Sequence, residues 1–320
     1  MVNKVNLLNK KNILSLILIL LFYLIVGFLI NIGIIDSYIF LNIVIIGINI
    51  ILAVSLNLIT GFTGQFSLGH AAFMSVGAYT SAILTAKLGY QFIVGIIGAA
   101  LMASIAGIVI GIPTLRLRGD YLAIATLGFG EIIKILLFNN DYAGGAMGIN
   151  DIPRYTTWNW LFFFVALTVL IINNFIKSYN GRACISIKED EVAAESMGVN
   201  TTYFKVLVFT IGALFAGIAG ALYANYFYFI KPDGFGFMKS IDILVIVVFG
   251  GLGSIPGSIL GAIILSVISV FLQGIPELRM VVYSVILFLI MVYRPQGLLG
   301  KGEFKIFKKR GALNGIGTGK

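Results

Sequence analysis

Few residues in this chain could make or break a covalent bond. Its 320 residues include one cysteine, Cys184, and one histidine, His70. Single copies exclude a disulfide within the chain, a multi-cysteine metal site and any HExxH centre, which needs two histidines. No G-x-x-x-x-G-K-[ST] run occurs. Neither Lys301 nor Lys320 has the upstream glycine or the following hydroxyl, so ATP phosphates find no such cradle. No nucleophile–histidine–acid set and no pair of carboxylates at helical spacing inside a span is evident, and nothing calls for a cofactor. The polar groups of interest sit within or beside long apolar runs, where such groups tie helices together or line an aqueous path.

Three groups of this kind stand out. Glu131 and Lys134 are three residues apart, on one face of a predicted helix, and can pair. The plain reading is a neutralised pair between helices; the sharper one places them on a translocation path. The uncharged, glycine-dense segment GFTGQFSLGH (61–70) lies between two apolar runs and offers Gly64, Gln65, Ser67 and His70 as path residues, because discontinuous helices expose backbone at such sites. Close packing of a glycine-faced helix, with His70 as a hydrogen-bonded packing residue, is the simpler alternative. The run GGLGSIPG (250–257) poses the same choice for Gly250, Gly251 and Gly253: a tight turn or a broken helix.

The elements that must position these groups are set by composition. Hydrophobic residues make up 59% and charged residues 11% of the chain, with a mean hydropathy of +1.03. That charged share is less than half of the roughly 25% usual in a soluble domain. So much apolar surface cannot fit inside a water-soluble core. It must face lipid, where backbone groups are satisfied only within helices or a closed barrel. Long apolar runs rather than short alternating stripes select helices, and 38 glycines suit close helix packing in lipid. The fold class is an all-α, polytopic transmembrane helical bundle.

Spans are expected over about 13–35, 38–59, 71–86, 92–112, 121–138, 158–176 and 206–227. A broken run follows over 241–272, and a last span over 280–293. The first run follows Lys4, Lys10 and Lys11 but is too long for a signal peptide and lacks an A-x-A site, so it is read as an uncleaved span. With the N-terminus inside, sixteen Lys and Arg fall on the cytoplasmic side and five (Lys87, Arg154, Lys231, Lys239, Arg279) outside. That bias puts both termini in the cytoplasm of a multi-pass plasma-membrane protein and makes the span number even. The number is ten if 250–257 is a turn, or eight plus a re-entrant segment. The net charge of +9 is thus topological and gives no reason to expect nucleic acid. Residues 1–300 form the transmembrane domain and 301–320 a basic cytoplasmic tail.

The loop 177–205 is the longest cytoplasmic one. Ser186 with Glu189 three residues on reads as a capping box, and Glu189, Asp190 and Glu191 fall in a first turn where the helix dipole favours acids. Gly198 is placed to end the helix. The prediction is a helix of about three turns outside the membrane, too small for a domain and suited to docking on a soluble partner.

Six stretches, in order, resemble the permease subunits of branched-chain amino acid ATP-binding cassette importers: NLITGFTGQFSLGHAAFMSVGAY (57–79), LRLRGDYLAIATLGFGEI (115–132), GRACISIKEDEVAAESMGVN (181–200), LFAGIAGALYA (214–224), VFGGLGSIPGSILGA (248–262) and YRPQGLLG (293–300). The second and third make the chain look like the longer, M-type subunit. The resemblance implies a cytoplasmic coupling helix at Glu191–Gly198 that fits a groove on an ATPase. Ala193, Ala194 and Gly198 match the importer-wide Glu-Ala-Ala…Gly pattern, while Val192 stands where its Glu would be and Glu191 precedes it. Glu189, Asp190, Glu191, Ala193, Ala194, Glu195 and Gly198 are the expected coupling residues. The implied partners are a homologous second permease, two ATPases, an extracytoplasmic binding protein and membrane lipid. The implied cargo is leucine, isoleucine or valine. The related urea and short-amide importers, or a stand-alone secondary transporter, are the alternatives.

Overall fold

A computed structural model describes residues 10–115, 117, 119–293 and 297–299. Lys4, Arg116, Arg118, Arg294 and the tail 301–320 lie outside the described residues. Ten apolar helices follow the expected spans one for one. They are α1 (Lys10–Asn31), α2 (Ser37–Asn57), α3 (His70–Ala82), α4 (Phe92–Thr114), α5 (Asp120–Phe138), α6 (Trp158–Lys177), α9 (Thr201–Phe227), α10 (Phe237–Gly250), α11 (Ile255–Phe271) and α12 (Pro276–Tyr293). Between α6 and α9 stand two short polar helices, α7 (Tyr179–Glu189) and α8 (Glu191–Ser196). Among the described residues, five stretches are long and apolar enough to cross a membrane by length and composition alone: Ser37–Phe62, α4, α5, α6 and α9. Among the described residues the only strand-like pairing is an isolated bridge between Ile149 and Ile230.

The core is α2, α3, α4 and α9, and glycine decides how close they come. A Cβ on Gly77 of α3 would lie 2.3 Å from the Gly217 carbonyl oxygen of α9, and one on Gly220 would lie 2.0 Å from that of Met74. Across the α4–α9 seam, a Cβ on Gly217 would sit 2.5 Å from that of Ala103. Backbones thus touch where lipid supplies no hydrophobic drive and dispersion contacts must hold the helices. Polar side chains add glue: buried Asn225 of α9 donates to Ser81 Oγ at 2.7 Å and accepts from Thr85 Oγ1 at 3.1 Å.

α11 runs antiparallel along the whole of α2. Asn57 donates to Ser258 Oγ at 2.7 Å, Asn49 to Ser266 Oγ at 2.9 Å, and Tyr38 to Gln273 Oε1 at 3.1 Å. These rungs run from one end of α2 to the other. The 250–257 break is therefore the tight turn of an antiparallel helix pair, α10–α11. Gly251 and Gly253 make that turn at φ +115° and +86°. The bundle has two distinct ends. One gathers residues 62–69, α7, α8, the Gly251–Ser254 turn and residues 297–299, whose Leu298 and Leu299 amides donate to the Phe249 and Gly250 carbonyls. The other gathers the Ile149–Ile230 bridge, the Lys134–Asp233 pair and the aromatic start of α6, where Trp158 stacks on Tyr23 of α1 at 6.2 Å.

Candidate coupling and translocation elements

The helix of α2 does not stop at Asn57. It widens into a π-helical turn, Leu58–Phe62, and then breaks. Thr63 Oγ1 donates to the Leu58 carbonyl and Gly64 turns the chain at φ +74°, a conformation glycine adopts without a Cβ penalty. Residues 64–69 then run without helical bonds until α3 starts at His70, with Gln65, Ser67 and Gly69 buried and Gly64 and Phe66 exposed. Irregular backbone at this depth survives in lipid only when protein or an aqueous cavity surrounds it. Here α5 and α10 supply the partners: the Leu68 amide donates to Thr126 Oγ1 at 3.0 Å and the Ala71 amide to Ser240 Oγ at 3.3 Å. His70 is fully buried, with Nε2 2.9 Å from Ser55 Oγ. Gln65 is 3% exposed, and neither atom of its amide meets a protein partner among the described residues.

The two glycine-rich segments, far apart in sequence, meet at one residue. Asn57 Oδ1 accepts from the Gly253 amide at 2.8 Å, and its Nδ2 donates to the Ser254 carbonyl at 3.0 Å and to Ser258 Oγ. A Cβ on Gly61 would fall 1.7 Å from Asn57 Oδ1 and 2.4 Å from the Gly253 amide nitrogen, so Gly61 clears the space for this clamp. Gly250 faces Gly257 across the α10–α11 pair, each leaving too little room for a Cβ on the other. Of the sequence-derived path candidates, Gly64, Gly250, Gly251 and Gly253 thus gather around the end of α2. Gln65, Ser67 and His70 lead inward from it.

Glu131 and Lys134 do not pair with each other. Lys134 binds Asp233 at 3.1 Å, on the short 3-10 turn Pro232–Phe235 that caps the opposite end of the bundle. The expectation of an i, i+3 pair fails because a carboxylate from another segment reaches the same ammonium. Glu131 remains on the sparsely covered α5 with no ion pair among the described residues.

The expected single three-turn helix is two helices. α7 ends at Glu189, and Asp190 takes extended φ −158°, ψ 112°. Its carboxylate caps α8, with Oδ1 accepting from the Val192 and Ala193 amides at 2.9 and 3.0 Å. Asp190 is the N-cap in place of Ser186, whose hydroxyl instead donates back to the Ala183 carbonyl inside α7. The competing Asx cap breaks the predicted helix at the point where three acids in a row otherwise crowd one turn. Gly198 does end α8, at φ +84°. Ala194 is buried, Ala193, Glu195 and Glu189 are exposed, and Val192 and Met197 project outward at 61% and 84% exposure. Glu191 is not free: it binds Lys205 at 2.7 Å, fastening α8 to the root of α9.

α7 is fastened in turn to the α2 break. Lys188 Nζ donates to the Gly61 carbonyl, and its stem lies against Gly64. The Cys184 thiol meets the Thr63 side chain; burial pushes it up to about 11 despite that contact. Asn57, Lys188, Lys205 and Asp233 escaped the sequence reading. Only Asn57 carried a local signal, an amide at the end of a strongly apolar helix that also holds Asn42 and Asn49.

Fold and site together define an integral membrane protein whose two-helix appendage is bonded to breaks in its bundle. A family model described as branched-chain amino acid transport system, permease component, matches residues 38–291. The permease protein LivM of the high-affinity branched-chain amino acid transport system of Escherichia coli K12 is 39% identical, over 84% of this chain and 71% of that protein. LivH of Salmonella typhimurium is 29% identical over 79% of this chain and 91% of its own length. A probable LivM of Methanocaldococcus jannaschii is 27% identical over 79% and 90%. The chain belongs to the family of permease components of branched-chain amino acid transport systems.

Proposed function

We propose that this chain is the M-type permease subunit of an ATP-driven importer. It forms the membrane pathway together with a homologous second permease and carries leucine, isoleucine and valine released by an extracytoplasmic binding protein. Two ATPases drive the assembly from the cytoplasm, one of them docked on the α7–α8 appendage, which puts both chain termini on that same side. The observation that carries this reading is the appendage itself. It projects Val192, Glu195 and Met197 outward, yet is bonded through Lys188 and Lys205 to the bundle. The chain offers no phosphate cradle, so the work of transport has to arrive through a partner. Relatives named both LivM and LivH support a permease pair.

The test is co-expression with the ATPase, second-permease and binding-protein subunits of the same importer, followed by reconstitution into vesicles. ATP-dependent uptake of labelled leucine, competed by isoleucine and valine but not by urea, is the expected result. Competition by urea alone would move the cargo to the amide class. Uptake driven by an ion gradient without ATPases would overturn the reading. Orientation is checked by cysteines placed at Met197 and Met147, which are 84% and 79% exposed at opposite ends. Only the former should be shielded from an impermeant maleimide in intact cells.

A further inference from the structure

The Lys188 ammonium sits where three separate pieces of chain converge. It is carried by the last turn of α7 and donates to the Gly61 carbonyl in the π-helical end of α2. A Cβ on Gly253, in the α10–α11 turn, would lie 3.6 Å from Nζ and 3.3 Å from that same Gly61 oxygen. Asn57, one turn back on α2, holds the Gly253 amide and the Ser254 carbonyl from the other side. A carbonyl at a helix C-terminus has no intrahelical donor and carries the negative end of the dipole, so a cation is the partner it favours. Away from bulk water such a bond is electrostatically stronger than in water.

We infer that Lys188 is a positioning residue for transport: it transmits displacement of the α7–α8 appendage to the two backbone breaks of the bundle, through the Gly61 carbonyl and the Gly253 turn. This rests on the proposed ATPase docking and adds a defined route for it. α8 is tied by Glu191 to α9, a continuous helix of 27 residues that can only tilt as a rod. α7 is tied by Lys188 to the end of a helix already broken. The second link leads to the part of the bundle that can change shape.

The test uses the whole importer in vesicles, reading ATP hydrolysed per leucine transported. Lys188→Met keeps the stem and removes the charge and donor. It is expected to assemble and hydrolyse ATP, while transport falls roughly tenfold and the ratio rises to match. Lys188→Arg, which retains a cationic donor, should restore most of the transport. A residue of merely structural value would instead lower assembly, hydrolysis and transport together. Lys188→Gln, one atom short of the carbonyl, replaces the Met variant if that does not assemble. Normal stoichiometry in either assembled variant overturns the inference, as does failure of both to assemble. If the unaltered importer shows no ATP-dependent uptake, the proposed function fails instead, and the two failures are told apart by that control.

Discussion

Glycine serves opposite ends in two regions of this molecule. Along the α3–α4–α9 seam, Gly77, Gly107, Gly217 and Gly220 lie inside regular helices and bring backbones into contact. Around the end of α2, Gly61, Gly64, Gly251 and Gly253 stand in a π turn, a non-helical segment and a tight turn, and Gly61, Gly64 and Gly253 lie against the side chains of Asn57 or Lys188. The first region is a welded block in which any displacement moves three helices together. The second is a joint whose shape rests on a few hydrogen bonds from Asn57 and Lys188. Composition alone counts both sets as the same excess of glycine. What differs is whether the missing Cβ makes room for another helix or for a turn.

The comparison breaks most sharply at Gly220. Alanine there puts a Cβ 2.0 Å from the Met74 carbonyl oxygen, and no rotamer relieves a clash with backbone. Gly220→Ala should cost about 3 kcal/mol and abolish a monodisperse peak in detergent. Gly128→Ala on α5, where no atom lies within 4 Å of the new Cβ, should be neutral or gain up to about 1 kcal/mol from helix propensity. Equal thermal midpoints for the two variants would show that the seam is not close-packed.

The joint should fail differently. Asn57→Leu strands the Gly253 amide, at a cost of about 2 kcal/mol by the usual penalty for a buried unpaired group, while the Ser254 carbonyl keeps its bonds from Ser258. We expect a folded bundle with impaired uptake, so the loss of transport exceeds the loss of stability. A variant that unfolds as readily as Gly220→Ala would erase the distinction between block and joint.

The two acids of α8 separate the same way. Glu191→Gln removes the partner of Lys205, which is 7% exposed, while Glu191 itself is about a quarter exposed. The penalty is therefore discounted to about 1 to 2 kcal/mol, below that of a fully buried pair. Glu195→Gln changes an exposed side chain and should leave the melting temperature unmoved while weakening ATPase retention on an affinity column. The reverse outcome would mean that Glu195, and not Glu191, anchors α8.

Span order and helix ends were legible because lipid imposes them locally: about twenty apolar residues, basic flanks and a glycine after the last turn are enough. Gly198 and the 250–257 turn belong to this class. The break at 61–70 was legible as a break but not in form. A π turn followed by six non-helical residues, of which Gln65, Ser67 and Gly69 are buried, depends on Thr126 and Ser240, far along the chain. The splitting of the expected coupling helix turned on a competition between Ser186 and Asp190 that spacing alone does not decide. Lys188, Lys205 and Asp233 were invisible for a common reason. Each is an ordinary charged residue in a polar stretch, and its meaning lies in a partner at least 14 residues away.

The smallest effect is expected at the end remote from the appendage. Lys134 and Asp233 lie 3.1 Å apart, with side-chain exposures of 28% and 66%. Solvent screens so open a pair, and ordering two long side chains offsets part of the attraction. A double-mutant cycle of Lys134→Gln and Asp233→Asn should give a coupling of about 0.5 kcal/mol in thermal unfolding. A cycle of Glu131→Gln with Lys134→Gln should give none, since Glu131 takes no part. Coupling well above 1 kcal/mol for the first pair would mean that water is excluded there by a second subunit, making the Asp233 end an interface. Coupling between Glu131 and Lys134 would instead restore the neighbour pairing that helical spacing first suggests.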